Sequence, residues 1–297
     1  MKQTNFLQKL LIFVACMTLS VGMTAQTTPQ KKRLKVGLVL GGGGAKGAAE
    51  IGVLKVLEEV GIPIDYIAGT SIGSIVGGLK AIGVRADSIE SLFRSQKWGA
   101  LFAKEFIGGC SVENLFDSIC QIPDSIHFDD LPIPFRCVAV DSRNMEEVVL
   151  DSGSLATAMR ASMAIPGVFK PVKWDGKKLV DGGVLNNLPV DVVLKMGADV
   201  VIAVDLQQKK SKPNHQWMPK PIKGVNSLLQ WVLLKPDRTK YENNKNVVDV
   251  LINPRLKKHD VMCFLPACID EMIAIGEKTA RQKMSELIKL KRRIYAQ

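Results

Sequence analysis

The stretch that most restricts how this chain can fold is Gly69-Thr70-Ser71-Ile72-Gly73. Before it, Ile64-Asp65-Tyr66-Ile67-Ala68 reads as a short buried strand. After it, Ile75-Val76-Gly77-Gly78-Leu79 reads as a helix with small residues on one side. A serine between two glycines at a strand-to-helix junction has the geometry of a nucleophile elbow. The turn leaves no room for side chains at Gly69 and Gly73. It lifts the Ser71 hydroxyl above the sheet and puts the positive end of the next helix beneath it, which favours an alkoxide or a nearby oxyanion. The same pentapeptide also serves as an ordinary strand–turn–helix corner, so its meaning depends on what else reaches that edge of the sheet.

A second turn of the same kind lies upstream. Leu34 to Leu40 reads as the first strand, followed by Gly41-Gly42-Gly43-Gly44-Ala45-Lys46-Gly47. A helix with Ile51, Leu54, Val56, Leu57 and Val60 apolar comes next and ends at Gly61 and Pro63. Strand, glycine loop, helix, strand and Ser71 turn make a βαβ unit with a parallel sheet. Both turns then sit at carboxyl ends of neighbouring strands, where open α/β sheets bind ligands. The glycine loop has three readings. Gly42-x-Gly44-x-x-Gly47 fits a dinucleotide fingerprint, with Glu58, Glu59 or Asp65 near the place of a ribose-binding acid. A phosphate-binding P-loop fits less well, because Lys46 is followed by Gly47 rather than Ser or Thr. The third reading is an oxyanion hole, in which backbone N–H groups converge with no side chain in the way.

Further along, Asp87 to Gln96 reads as helical, and Trp98, Phe102 and Phe106 form an aromatic stripe at helical spacing. Its plain reading is core packing; the sharper one is a wall of a lipid-facing cleft. Phe135 to Val140 and Glu147 to Leu150 read as strands, and Ser154 caps a short helix to Ala161. Leu179-Val180 leads into Asp181-Gly182-Gly183, Pro189 to Met196 is a helix, and Ala198 to Leu206 a buried strand. Gln207 to Tyr241 reads as a polar loop and a helix over Val225 to Leu234, in the manner of a lid. Val247 to Ile252 is a strand, and Ala267 to Leu290 one long helix ending in cations.

A serine needs a base. His127, His215 and His259 follow no strand end and read as surface histidines. Asp181 directly follows a strand, and Gly182-Gly183 permit a sharp turn that would expose its carboxylate; an ordinary Asp-Gly turn is the plain alternative.

The N-terminus stands apart. Lys2 and Lys9, the apolar run Leu10 to Leu19, and Ser20 to Ala25 follow the order of a secretory signal peptide, with cleavage expected after Ala25. The run is short for a membrane span. Phe13-Val14-Ala15 before Cys16 is a poor match to a lipidation signal. Residues 26–33 read as a disordered leader, and 34–297 as one domain without internal repeats. Removing residues 1–25 lowers the formal charge of +11 to +9, still basic enough for attraction to anionic lipid. Nucleic acid is not expected as a partner, since no nucleic-acid motif is present. The five remaining cysteines have no metal-site spacing. Cys110–Cys120 or Cys263–Cys268 could pair after export, although buried free thiols are the default.

Taken together, Gly42-Gly43-Gly44-Ala45-Lys46-Gly47, Gly69-Thr70-Ser71-Ile72-Gly73 and Asp181-Gly182-Gly183 resemble, in order and spacing, the motifs of the patatin-like phospholipase family. The likeness extends through Ala161 to Val172 and Asp181 to Asp205, and is weak over residues 84–130 and 207–245. The resemblance implies a three-layer α/β/α fold with a mainly parallel central sheet, and hydrolysis of lipid acyl esters by a Ser–Asp dyad without histidine, metal or cofactor. By position it makes Ser71 the nucleophile, Asp181 the base, and Gly42, Gly43 and Gly44 the oxyanion donors. Lys46 stands where the family has Arg or Lys, and Gly183 replaces the alanine of plant members. The expectation is therefore an exported serine acyl hydrolase of the periplasm, cell envelope or exterior, acting on lipid or phospholipid with peripheral membrane contact. The competing readings are a dinucleotide-binding oxidoreductase and a non-catalytic envelope lipid-binding protein.

Overall fold

The computed structural model describes residues 33–95, 125–207 and 238–296. The signal-peptide region, the aromatic stripe at Trp98, Phe102 and Phe106, His215, Cys110, Cys120 and the lid helix expected over 225–234 lie outside the described residues.

The first two strands are nearly continuous apolar runs, as strands covered on both faces must be, and the third is apolar from Cys137 to Val140. β1 is Val36–Leu40, with every residue buried, and β2 is Tyr66–Thr70. β3 is Phe135–Asp141. β2 starts two residues later than its apolar pattern predicts and runs up to Ser71. At its start Asp65 takes both backbone groups of Val36, its carboxylate accepting the N–H at 2.8 Å and its own N–H donating to the carbonyl at 2.9 Å. Helix α1, Ala48–Val60, ends as expected on Gly61 in the left-handed conformation. Helix α2 is Ile72–Ala81 and α3 is Ala86–Arg94. β4 is Glu146–Leu150, and α4 is Leu155–Ser162, its N-terminus capped by the Ser154 side chain accepting from the Thr157 N–H. The short strands β5, Val172–Trp174, and β6, Lys177–Asp181, form a hairpin. Then follow α5 (Val190–Met196), β7 (Val200–Val204), α6 (Arg238–Asn246) and β8 (Val250–Ile252).

These strands form one sheet in the order β5-β6-β3-β2-β1-β7-β8, with β4 also on β3. From β3 through β2, β1 and β7 to β8 every pairing is parallel; β4, β5 and β6 pair antiparallel. One buried apolar cluster packs α1–α4 and the C-terminal helices on one face, and a second, with Leu188, Val190 and Val193, covers the other. The sheet is thus covered on both faces, as the expected layered α/β architecture requires.

β3 is the junction. Its residues Cys137–Asp141 pair with β4 along one edge. Along the other edge β2 covers Phe135–Val138 and β6 covers Ala139–Asp141. Thr70 is opposite Val138, and Asp181 is opposite Ala139. Two strands running in opposite directions therefore meet end to end against consecutive residues of a third.

The single long helix expected from Ala267 to Leu290 is two helices, α7 (Pro266–Gln282) and α8 (Met284–Tyr295), broken at Lys283. The break turns α8 so that Leu287, Leu290 and Ile294 face the core while the Ile294 carbonyl accepts the Leu34 N–H. The terminal cations have specific partners instead of only balancing their own helix. Lys291 Nζ donates to the Val60 carbonyl at the end of α1, and Arg293 pairs with Asp249.

Candidate active site

Ser71 follows β2 directly and begins α2, at φ 54° and ψ −124°. A non-glycine residue there stores backbone strain of roughly 1–3 kcal/mol, a pattern found at active sites. The elbow is affordable only because its neighbours are bare. A Cβ on Gly69 would strike the Gly73 carbonyl, and one on Gly73 the Leu40 carbonyl. The Ser71 N–H donates to Ser162 Oγ at 2.9 Å, and Ser162 donates onward to the Val138 carbonyl at 2.7 Å. This pins the elbow to β3.

The Ser71 hydroxyl donates to Asp181 Oδ2 at 2.6 Å, across 110 residues of sequence. The other Asp181 oxygen accepts the Gly183 N–H at 2.7 Å. The turn at Gly182-Gly183 does not expose the carboxylate, as its sequence suggests; Asp181 is only 3% exposed. Its place at the inner end of β6, against β3 and the elbow, closes it off. Burial pushes its pKa up to about 6, against the opposing pull of the Ser71 and Gly183 hydrogen bonds.

The glycine loop crosses above this pair. The Gly41 N–H donates to Val204 and the Gly42 N–H to the Asn187 carbonyl. Gly42 is therefore not a free donor, which corrects its assignment to an oxyanion hole. Its N–H is consumed in holding the loop. The N–H groups of Gly43 and Gly44 have no acceptor among the described residues. Ala45 N–H donates to the Val261 carbonyl at 2.7 Å, and Gly47 packs against Ile72 at the start of α2. Lys46 is half-buried beside the loop. Burial lowers its pKa, and the charge of Asp260 acts the other way.

Three side chains here escaped the sequence reading. Asn187 donates from Nδ2 to the Gly42 carbonyl at 3.0 Å while its own carbonyl accepts the Gly42 N–H. Its Oδ1 lies against Gly183, so one residue joins the glycine loop to the aspartate turn. Ser162 has no motif of its own. Glu50, in the first turn of α1, is fully buried. Burial raises its pKa well above the ordinary value, against the opposing pull of the Gly41 backbone. The doublet Asn186-Asn187 before Leu188-Pro189 is the one sequence signal that could have singled out the clamp.

An apolar cleft opens at Ser71 and Gly44, lined by Ile72, Ile75, Met163, Ile165, Phe169 and, from the segment before α7, Val261, Met262 and Phe264. That segment is fastened by a Cys263–Cys268 disulfide, so the default of free thiols holds only for buried Cys137 among the described residues. The histidines stand apart from the dyad. His127 is exposed at the bridge to Ser154, and His259, more covered than expected, lies 3.7 Å from Glu271. The acids considered for a ribose are engaged elsewhere: Asp65 with Lys35, Glu58 with Lys80 and Glu59 with Arg281. No cluster of metal-binding side chains occurs among the described residues.

A family model for patatin-like phospholipases matches residues 38–194, more than half of the chain, and takes in the glycine loop, Ser71, Asp181 and Asn187. The chain belongs to the patatin-like phospholipase family. It is similar to the lysophospholipase NTE1 of Mycosarcoma maydis, 37% identical over 183 residues, which take in 58% of this chain and 10% of that protein. It is also similar to an uncharacterized NTE family protein of Mycobacterium tuberculosis, 34% identical over 207 residues, or 65% of this chain and 57% of the other. The patatin-like phospholipase domain-containing protein 6 of Homo sapiens is 37% identical over 183 residues, 58% of this chain and 13% of that protein. The matches thus span less than two thirds of these relatives' own length. Among solved structures, VipD from Legionella pneumophila aligns over 88% of this chain and 73% of its own, with a TM-score of 0.44 and 14% identity.

Proposed function

We propose that this protein is a serine acyl hydrolase that releases fatty acids from phospholipid or lysophospholipid esters. The observation that carries the reading is the 2.6 Å hydrogen bond from Ser71 Oγ to the buried Asp181 carboxylate. An aspartate with a pKa near 6 is a better proton acceptor at neutral pH than an ordinary one near ~3.9.

In the proposed reaction the acyl chain lies along the apolar cleft and the ester carbonyl meets Ser71. Asp181 takes the hydroxyl proton as Oγ bonds to the carbonyl carbon. The negative oxygen that forms is held by the Gly43 and Gly44 N–H groups, donors of a kind typically worth about 3–4 kcal/mol each. The alcohol leaves with the proton from Asp181, giving an acyl-enzyme. Water then gives up a proton to Asp181 as it attacks the acyl carbon, and Asp181 returns that proton to Ser71 Oγ as the acyl–oxygen bond breaks, which frees the fatty acid and restores the Ser71 hydroxyl. The N-terminus of α2, beginning at Ile72, favours the alkoxide throughout.

Export to the cell envelope belongs to the same proposal. It is supported by the order of residues 1–25 and by a disulfide of the sort that oxidising compartments preserve. The test is fatty-acid release from a panel of phospholipids, lysophospholipids and neutral esters, wild type against Ser71→Ala. Release from at least one lipid by the wild type alone is expected. Vesicle binding with no release by either protein would establish the non-catalytic reading instead.

A further inference from the structure

The segment from Arg255 to Leu265, between β8 and α7, has two different faces. Inward, Val261 and Phe264 line the Ser71 cleft, and the Val261 carbonyl holds the glycine loop through Ala45. Leu256 is fully buried beneath it. Outward, Met262 is 44% exposed and Leu265 66% exposed, the latter the most exposed large apolar side chain among the described residues. Arg255, Lys257 and Lys258 are exposed in the same segment, and none has an ion-pair partner among the described residues. The nearby acids are largely committed. Asp260 accepts the Met262 N–H, Asp270 pairs with Arg94, and Glu271 faces His259.

Exposed apolar tips beside unpaired cations are poorly served by water. They are well served by an anionic bilayer, where the tips enter the acyl boundary and the cations meet phosphates. We propose that Arg255–Leu265 is the surface by which this protein docks on anionic phospholipid membranes. Leu265 and Met262 enter the interface, and Arg255, Lys257 and Lys258 contact headgroup phosphates. The Cys263–Cys268 disulfide ties this loop to the first turn of α7 and so holds the two tips in place. Because the inner face of this segment walls the cleft, docking here brings the Ser71 cleft to the lipid surface. That consequence rests on the hydrolase reading; the docking itself does not.

The experiment is co-sedimentation with vesicles of phosphatidylglycerol and phosphatidylethanolamine, together with hydrolysis of a water-soluble short-chain ester. Leu265→Ser keeps an acceptable residue at the α7 N-cap, and should weaken vesicle partition about tenfold by removing an apolar insertion. Lys257→Gln with Lys258→Gln should weaken it by roughly tenfold, and half-molar salt should weaken wild-type binding likewise. Soluble-ester turnover should be unchanged in both variants, and Ile288→Ser on the distant helix α8 should bind vesicles like wild type. Partition equal to wild type in both loop variants overturns the proposal, as does equal loss in Ile288→Ser. Loss through Leu265→Ser of a concentration-dependent dimer, rather than of vesicle binding, assigns the face to a second copy and also overturns it. If the wild type docks through this loop but releases no fatty acid from any lipid, docking stands and the hydrolase reading fails.

Discussion

The parallel and antiparallel parts of the sheet deliver their functional groups in different ways. Ser71 comes from the parallel part, where β2 turns at once into α2 and the residue's posture is set within Gly69–Gly73. Asp181 comes from the antiparallel hairpin, where the Gly183 N–H orients its carboxylate but does not bring it to Ser71. Its aim comes from β3, which pairs Thr70 and Asp181 with consecutive residues, Val138 and Ala139. The strained turn sets the Ser71 posture locally, and Ser162 only pins it to β3. A proton acceptor of opposite strand direction needs a third strand to fix its height. The two parts should therefore respond differently to substitution.

The largest effect tests whether the two groups act as one unit. Ser71→Ala and Asp181→Asn should each lower kcat by roughly 10⁴-fold, and the double variant by little more, as expected for residues that share one step. Multiplicative losses in kcat would show that the hairpin contributes independently of the elbow.

The two variants should separate in stability. The Asp181 pKa of about 6 lies above its unfolded value, so between about pH 4 and pH 6 the native state binds the extra proton. Ionising this carboxylate therefore destabilises the fold as pH rises through that window, by about 3 kcal/mol for a two-unit shift. Urea midpoints should show Asp181→Asn gaining on wild type between pH 4 and pH 7.5, with Ser71→Ala showing no such gain. In wild type, turnover of a soluble ester should fall about tenfold per unit below pH 6, since only the ionised carboxylate accepts the serine proton.

Asn187 joins the two regions, and Asn187→Ala should cut kcat by roughly ten- to a hundredfold with KM little changed, because donors held 1 Å out of place lose transition-state contact. A change confined to KM would mean that the clamp shapes the pocket and not the glycine loop. The smallest effect concerns the cleft wall. Replacing Cys263 and Cys268 together by alanine should change the ratio of long- to short-chain ester turnover only about two- to fivefold, since the closed loop is short. Product analysis by mass spectrometry would read that ratio.

Local chemistry explains which features the sequence disclosed. The glycine loop, the elbow, the Gly61 stop and the Ser154 cap were legible because each is a turn whose residues are dictated within a few positions. The burial of Asp181 is not legible there, since an Asp-Gly-Gly turn looks exposed until another segment covers it. Gly42 looks like a free donor in the sequence because its partner, Asn187, is 145 residues away. The break at Lys283 was missed because both helices have compatible apolar spacing, and the change of direction is set by contacts with Leu34 and Val60.

The amino-acid sequence by itself determined the βαβ start, the two glycine turns and the identity of the serine and aspartate, through steric demands that act between near neighbours. Only the tertiary structure decided that the two side chains touch, that the carboxylate is buried, and that the Gly43 and Gly44 N–H groups meet no acceptor among the described residues. Those outcomes depend on strand pairing and burial between residues far apart in the chain, and neither distance nor dielectric is written in local sequence.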